Sequence, residues 1–195
     1  MDYNKYYSIA FSDAVNSACC FWGAKVAWEK GRPEVAFGIG LVAVASAVGT
    51  LRFGLAPKLF ARLNNILAHF GGLLGTPLIG IGFARSGGLL DFNGNNEFPY
   101  LIEGTMAFFS IFSLLTPESF KETYRIFLNI SSFGLMLYAE GIENQMALAS
   151  VITFISAGLI IGPDRHRYIL GVRRENLFHY FLGLSMLMFG QALPA

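Results

Sequence analysis

The sequence predicts an all-α protein, a polytopic helical bundle with about seven transmembrane helices, no sheet and a single membrane domain over residues 1–195. Three observations favour this class. The 195 residues are 54% hydrophobic and only 14% charged, and the mean hydropathy is +0.50, which is too apolar for an ordinary soluble domain. The apolar residues form runs of about 20, the length that crosses a bilayer. The basic residues lie in short clusters between these runs.

Seven segments have the length and composition of a spanning helix. Apolar residues and glycine fill the second, third, sixth and seventh almost continuously, whereas the first and fifth contain more polar residues. No long polar linker separates the segments, so we expect one domain. Their approximate limits are residues 8–28, 35–54, 59–84, 99–116, 123–140, 144–162 and 175–194.

The first segment has two interpretations. It contains charged and amide side chains, so an amphipathic helix lying along the interface would leave six spans. We favour a span because tyrosines lie at one end and Trp22 and Trp28 lie near the other. That arrangement is typical of aromatic anchors at the two interfaces of a bilayer.

The third segment combines a histidine, several glycines and Pro77 in one apolar run. Proline lacks a backbone N–H and clashes with the preceding turn, so regular hydrogen bonding is lost near Gly72 and Leu73. We therefore expect a kinked or broken third helix. It is either a packing kink or a discontinuous helix whose exposed backbone, with His69 and Thr76, lines a substrate or ion site.

The distribution of Lys and Arg predicts the orientation. With seven spans, one side holds ten of these residues and the other holds four. The positive-inside rule then places the N-terminus in the cytoplasm and the C-terminus outside. The ten are Lys5, Arg52, Lys58, Arg62, Lys121, Arg125, Arg165, Arg167, Arg173 and Arg174.

Polar residues in the first segment share one helical face. Asp13, Asn16, Ser17 and Cys20 follow the spacing i, i+3, i+4 and i+7. An ionised carboxylate below the interface has to pair, take up a proton or meet water, so this face cannot contact lipid. We take Asp13 and Asn16 as candidates for a substrate or ion pathway, with an interfacial, hydrated Asp13 as the alternative.

Further pathway candidates lie on other segments. His69 and Thr76 belong to the third segment, and Glu103 lies about one turn inside the fourth. His179 begins a stripe with Gly183, Met186 and Gly190 at helical spacing, which predicts a closely packed seam. The three histidines also allow a structural interpretation, and for His166 in the basic loop we expect a surface or lipid-headgroup role.

Several classes of function are excluded. The net charge of +1 leaves no electrostatic footprint for nucleic acid. Cys19 and Cys20 are adjacent, which rules out a spaced metal pair or a disulfide framework. Motifs of nucleophile-elbow hydrolases, zinc proteases, phosphate-binding loops and paired cysteines are absent from the sequence. The sequence therefore identifies no cofactor and no metal.

The first functional hypothesis is a small carrier or channel. A bundle of about seven helices is large enough to enclose a site, and intramembrane ionisable residues point to transport pathways. The expected partners are the lipid bilayer and a small solute, ion or lipid ligand, with a homo-oligomer as a further option.

The second hypothesis is an intramembrane hydrolase acting on lipid. The helix count, Ser46 in the second segment and His179 in the seventh resemble the seven-helix superfamily of alkaline ceramidases and progestin/adipoQ receptors. That resemblance implies a lipid substrate and zinc held by histidines. Thr50 or Phe53 and Gly183 stand where the superfamily has its other two histidines, so the zinc site departs from its pattern here.

A third hypothesis is an accessory subunit of a larger membrane complex. The 19 phenylalanines and the glycine-lined faces fit packing against partner helices as well as they fit a site.

Overall fold

The computed structural model describes residues 6–89, 108, 112, 116–140, 143–164 and 166–194. The described chain is mostly helical, as the sequence predicts, and six of the seven predicted segments coincide with its helices. The fourth segment, which includes Glu103, lies outside the described residues. In chain order the elements are α1 (Tyr7–Glu29), α2 (Pro33–Gly54), α3 (Pro57–Phe70), a π-helical turn (Gly71–Gly75), α4 (Thr76–Ser86), α5 (Glu118–Glu140), α6 (Gln145–Ile155), a second π-helical turn (Ser156–Ile161), β1 (Tyr168–Ile169), β2 (Val172–Arg173) and α7 (Arg174–Ala192).

The third predicted helix is continuous with a local irregularity, so of the two expected alternatives the discontinuous helix is wrong. Phe70, Gly75 and Thr76 all keep right-handed helical backbone angles, and Pro77 sits in the first turn of α4. A π-helical turn precedes Pro77, and its wider geometry compensates for the backbone hydrogen bond that proline cannot donate. The helix therefore passes from Pro57 to Ser86 with a local bulge in place of a break.

The expectation of no sheet is also corrected. β1 and β2 form a two-stranded antiparallel hairpin that pairs Tyr168 with Arg173 and Ile169 with Val172. Leu170 and Gly171 turn the chain with φ of 50° and 79°, and positive angles at both positions are the geometry of tight hairpin turns. The hairpin lies in the basic loop between α6 and α7.

Two described helices have the length and hydropathy needed to cross a membrane. They are Pro33–Gly54, with a hydropathy of 1.8, and the continuous helix Pro57–Ser86, with 1.6. Gln145–Ile161 is apolar but shorter. Among the described residues no other helix meets the same criteria.

Close backbone contact joins α1 to α7. A Cβ added to Gly23 would lie 2.6 Å from the carbonyl oxygen of Met186, and one added to Gly190 would lie 2.9 Å from the Cα of Gly23. Only glycine permits this approach. His179, Gly183, Met186 and Gly190 are buried along this contact, so the predicted seam is present.

The core has an apolar part and a polar part. Phe83, Phe133, Phe154 and Phe189 bring α4, α5, α6 and α7 together, and the rings of Phe133 and Phe154 are 5.0 Å apart. The polar part lies where α1, α2 and α7 meet.

Candidate functional site

The polar face of α1 is turned into the protein. Asp13 is 4% exposed and Asn16 is fully buried, and Ser17 and Cys20 are buried with them, as their spacing predicts. Large apolar side chains occupy the outer face of the same helix: Phe11 is 65% exposed and Trp22 is 56% exposed. Between Ser12 and Cys20, α1 thus turns a polar face into the protein.

Asp13 and His179 meet at the centre of the polar part. Asp13 Oδ1 lies 3.5 Å from His179 Nε2. On the other side of the imidazole, Ser12 Oγ lies 3.0 Å from Nδ1. The Ser12 hydroxyl is also 2.9 Å from the carbonyl oxygen of Ile9 and 3.4 Å from Asn176 Oδ1. Both nitrogens of the ring therefore face polar partners.

A second chain of hydrogen bonds reaches Asp13 from α2. Asn16 Nδ2 donates to Ser46 Oγ at 2.8 Å, and Ser46 is hydrogen-bonded to the Asp13 carboxylate. Cys20 Sγ donates to Asn16 Oδ1 at 3.3 Å. Gly49 leaves the space that the Asp13 carboxyl group fills, since an added Cβ would lie 2.8 Å from its Cγ.

Two further charged residues belong to this environment. Glu175 and Arg52, which are 5% and 6% exposed, act electrostatically on Asp13. Arg52 Nη1 donates to Asn64 Oδ1 at 2.9 Å and to Asn65 Oδ1 at 2.8 Å. Two amides in the middle of α3 thus hold the guanidinium of α2 in place. We call Ser12, Asp13, Asn16, Ser46, Arg52, Glu175, Asn176 and His179 the polar cluster.

Aromatic rings and guanidinium groups lie beside Arg52 at one end of the polar cluster. Arg173 lies over the rings of Tyr6 and Tyr168, at 5.0 Å and 5.8 Å from their centroids. The Tyr6 and Phe53 rings are 6.5 Å apart, and Arg52 lies 4.9 Å from the Phe53 centroid. These cation–π and aromatic contacts tie the hairpin to the start of α1 and the end of α2.

The structure brings together three of the six candidate pathway residues, Asp13, Asn16 and His179. Thr76 is buried at 2% exposure, but Gly75 beside it packs against Gly38. Gly38 precedes Ser46 by two turns of α2, or roughly 12 Å. His69 is part-exposed and packs edge-on against Phe70. The third-helix residues and the polar cluster therefore lie at different positions in the bundle.

Sequence reasoning missed part of the polar cluster. Arg52, Glu175 and Asn176 lie at helix ends, where charges are ordinarily solvated, so nothing in the pattern marked them as buried. The one available signal was spacing: Glu175, Asn176 and His179 follow i, i+1 and i+4, so Glu175 and His179 share a face of α7.

No protein-family model, curated protein or solved structure matches this chain.

The part of the chain that the structure describes contains no group of three or more His, Cys, Asp or Glu side chains placed to hold a metal ion. The polar cluster is instead suited to binding or transferring protons, because it combines carboxylates, an imidazole and hydroxyl groups within hydrogen-bonding reach of one another.

Proposed function

We propose that this chain is a multi-pass membrane carrier in which the polar cluster is the site for a small ion. The observation that carries the proposal is the buried contact between Asp13 and His179. Buried ionisable groups inside an apolar bundle are expensive, and in membrane proteins they mark ion and substrate pathways. The carrier hypothesis thereby moves from the third helix to α1, α2 and α7.

The distribution of side chains supports a membrane environment for the bundle. Apolar residues point outwards in several elements, for example Phe127 and Ile130 on α5 and Leu159 and Ile160 in the second π-helical turn, all more than 60% exposed. Exposed apolar surface of this extent is unfavourable in contact with water and favourable in contact with lipid. Buried polar residues such as Asp13 and Asn16, together with this exposed apolar surface, favour lipid as the surroundings of the bundle.

The proposed topology agrees with the position of the polar cluster. Its residues come from the first half of α1, the second half of α2 and the first turns of α7, and Asn64 and Asn65 come from the first half of the continuous helix Pro57–Ser86. These helix portions share one end of the bundle if an odd number of spans separates Ser86 from Arg174. The fourth, fifth and sixth predicted segments satisfy that count, with the N-terminus cytoplasmic and the C-terminus outside.

Cysteine labelling tests this topology. In a Cys19→Ser, Cys20→Ser background, single cysteines at Asn95 and Gln191 should react with an impermeant reagent in intact cells, and one at Arg167 should not. Labelling of Arg167 alone would show the inverse orientation, and opposite results at Asn95 and Gln191 would show a different number of spans.

Ion movement is tested with proteoliposomes on a solid-supported membrane. Concentration jumps of H⁺, Na⁺ or K⁺ should give a current for at least one ion, and Asp13→Asn or His179→Gln should abolish it. Glu29→Gln is the matched control, because Glu29 is exposed and paired with Lys25 on the surface. The proposal fails if folded protein gives no current with any of the three ions, or if Asp13→Asn retains the full current.

A lipid hydrolase is the second candidate, since serine, histidine and aspartate meet in the polar cluster. Ser12 Oγ is 3.0 Å from one ring nitrogen of His179 and Asp13 Oδ1 is 3.5 Å from the other. Ser46, which carries the resemblance to the ceramidase superfamily, is connected to His179 through Asp13. Labelling of Ser12 or Ser46 by a fluorophosphonate probe, lost in the corresponding alanine variant, would favour this function over transport.

A further inference from the structure

A chain of hydrogen bonds leads to Asp13 on the α2 side. Cys20 donates to Asn16 Oδ1, and the Asn16 amide donates to Ser46 Oγ. Because Ser46 Oγ accepts this bond, we assign its one hydroxyl hydrogen to the Asp13 carboxylate, its other partner.

On the α7 side, Ser12 has one hydroxyl hydrogen, which we assign to the carbonyl oxygen of Ile9 at 2.9 Å. In the matching tautomer of His179, Nδ1 carries a hydrogen and donates to Ser12 Oγ at 3.0 Å. This leaves Nε2 as the one ring nitrogen whose protonation can change, and Nε2 is the atom that faces Asp13.

Burial favours one added proton on the pair. Among the described residues, Arg52 on α2 and Glu175 on α7 act electrostatically on Asp13, and α3 contributes the neutral amides of Asn64 and Asn65. Further titratable or charged neighbours are Cys20, Tyr6 and Arg173. One proton shared by the Asp13 carboxylate and the His179 imidazole makes the pair neutral overall, which low-dielectric surroundings favour.

We propose that Asp13 Oδ1 and His179 Nε2 form a single proton-binding site, and that the proton is the ion the carrier binds. The identity of the bound ion rests on the proposed function, whereas the shared proton site rests on the polar cluster alone. On binding, the proton forms an O–H or N–H bond within the pair, and on release it leaves with no other covalent change. No co-reactant is needed.

Nitrogen-15 NMR of His179 tests the site without measuring transport. His69→Gln and His166→Gln leave His179 as the only labelled histidine, and the protein is titrated in nanodiscs. Nδ1 should remain protonated throughout while Nε2 gains and loses its proton. Asp13→Asn should change the proton affinity of Nε2 about tenfold or more, because strongly interacting groups titrate as a pair. Equal affinity in both proteins, or titration at Nδ1, would overturn the proposal.

Two variants complete the test. Ser46→Ala keeps both titrating groups and removes the hydroxyl that donates to Asp13, so it should also change the affinity of Nε2, even if Asp13→Asn does not fold. Glu29→Gln should leave the affinity unchanged. An affinity unchanged by Ser46→Ala and by Asp13→Asn would overturn the shared site.

The outcomes separate this inference from the proposed function. Paired titration without any ion current would retain the proton site and reject the carrier. A current carried by Na⁺ or K⁺, with no paired titration, would retain the carrier and reject the proton site. A proton current lost in Asp13→Asn, together with paired titration, supports both.

Discussion

Asp13 Oδ1 lies 3.5 Å from His179 Nε2, and these two residues belong to the first and the last described helices. The contact therefore closes the bundle as well as defining its polar centre. The contribution of this contact to the free energy of unfolding can be measured apart from ion transport, because the two side chains can be removed singly and together.

A double-mutant cycle with Asp13→Ala and His179→Ala should show strong coupling. Each single change leaves a buried polar partner and should lower the free energy of unfolding by about 1–3 kcal/mol. The coupling should lie at about 1 kcal/mol or more, measured from unfolding in detergent. The exposed pair Lys25–Glu29, 3.3 Å apart, is the control and should couple by about 0.5 kcal/mol or less. Equal coupling in the two cycles would contradict this expectation.

Gly49→Ala should displace the Asp13 carboxyl group. The added Cβ would lie 2.8 Å from Asp13 Cγ, so the side chain has to move, at about 1–3 kcal/mol of stability. Gly40→Ala on the same helix is the control, because nothing lies within 4 Å of its added Cβ, and its stability should be equal or higher. Thermal unfolding of both variants measures the difference, and similar losses at the two positions would contradict it.

Pro77→Ala should leave ion currents unchanged and should preserve or raise the melting temperature. The helix is already continuous through this residue, and the close packing of Gly75 on Gly38 holds the π-helical turn. The part of the third helix around Pro77 also lies away from Asp13 and His179, because Gly75 packs against Gly38. A well-folded Pro77→Ala protein without current would show that this segment takes part in the pathway after all.

Leu170→Asn should stabilise the hairpin. Leu170 is 99% exposed and has φ of 50°, a backbone conformation that asparagine tolerates better than leucine. A gain of about 0.5–1 kcal/mol is expected in detergent. Val172→Asn is the control, because Val172 lies in a strand and carries no such strain. A loss of stability with Leu170→Asn would show that this leucine makes a contact that outweighs its backbone strain.

Asp164 should titrate below its ordinary range in the folded protein. The backbone N–H of His166, at 2.9 Å, lowers the pKa of this carboxyl group, and Arg167 adds to the effect. The loop is therefore stabilised at pH above the unfolded pKa, and this stabilisation is lost as the pH falls through the folded pKa. Carboxyl carbon-13 NMR should give a lower midpoint in the protein than in a peptide of residues 162–174. Equal midpoints would contradict the loop geometry.

The helices were predictable because each depends on local sequence. Six predicted apolar runs coincide with the described helices, the third run covering both α3 and α4. Helical spacing identified the buried face of α1 and the α7 seam. The π-helical turn was not predictable, since it depends on how Gly75 packs against Gly38 of another helix. The hairpin has strands of two residues and a Leu-Gly turn, which is too little pattern to distinguish it from a loop.

The polar cluster was predictable only in part. Asp13 and His179 stood out because they are ionisable residues within apolar segments. Arg52 did not, because a basic residue at a helix end usually reaches water, and its burial depends on the amides of Asn64 and Asn65. His69 and Thr76 share the unusual third segment, but which neighbours a helix residue meets depends on the arrangement of the whole bundle.

The distance along the chain between Ser12 and His179, 167 residues, bears on how the protein is made. At ordinary rates of translation this interval takes about 10 to 30 s, and during that time α7 does not yet cover the polar face of α1. A ribosomal product that stops before α7 leaves Asp13 and Asn16 without the helix that covers them, inside a solvent that penalises them. Completion of α7 therefore covers the polar face of α1 from this side, and any chain that ends earlier leaves that face uncovered.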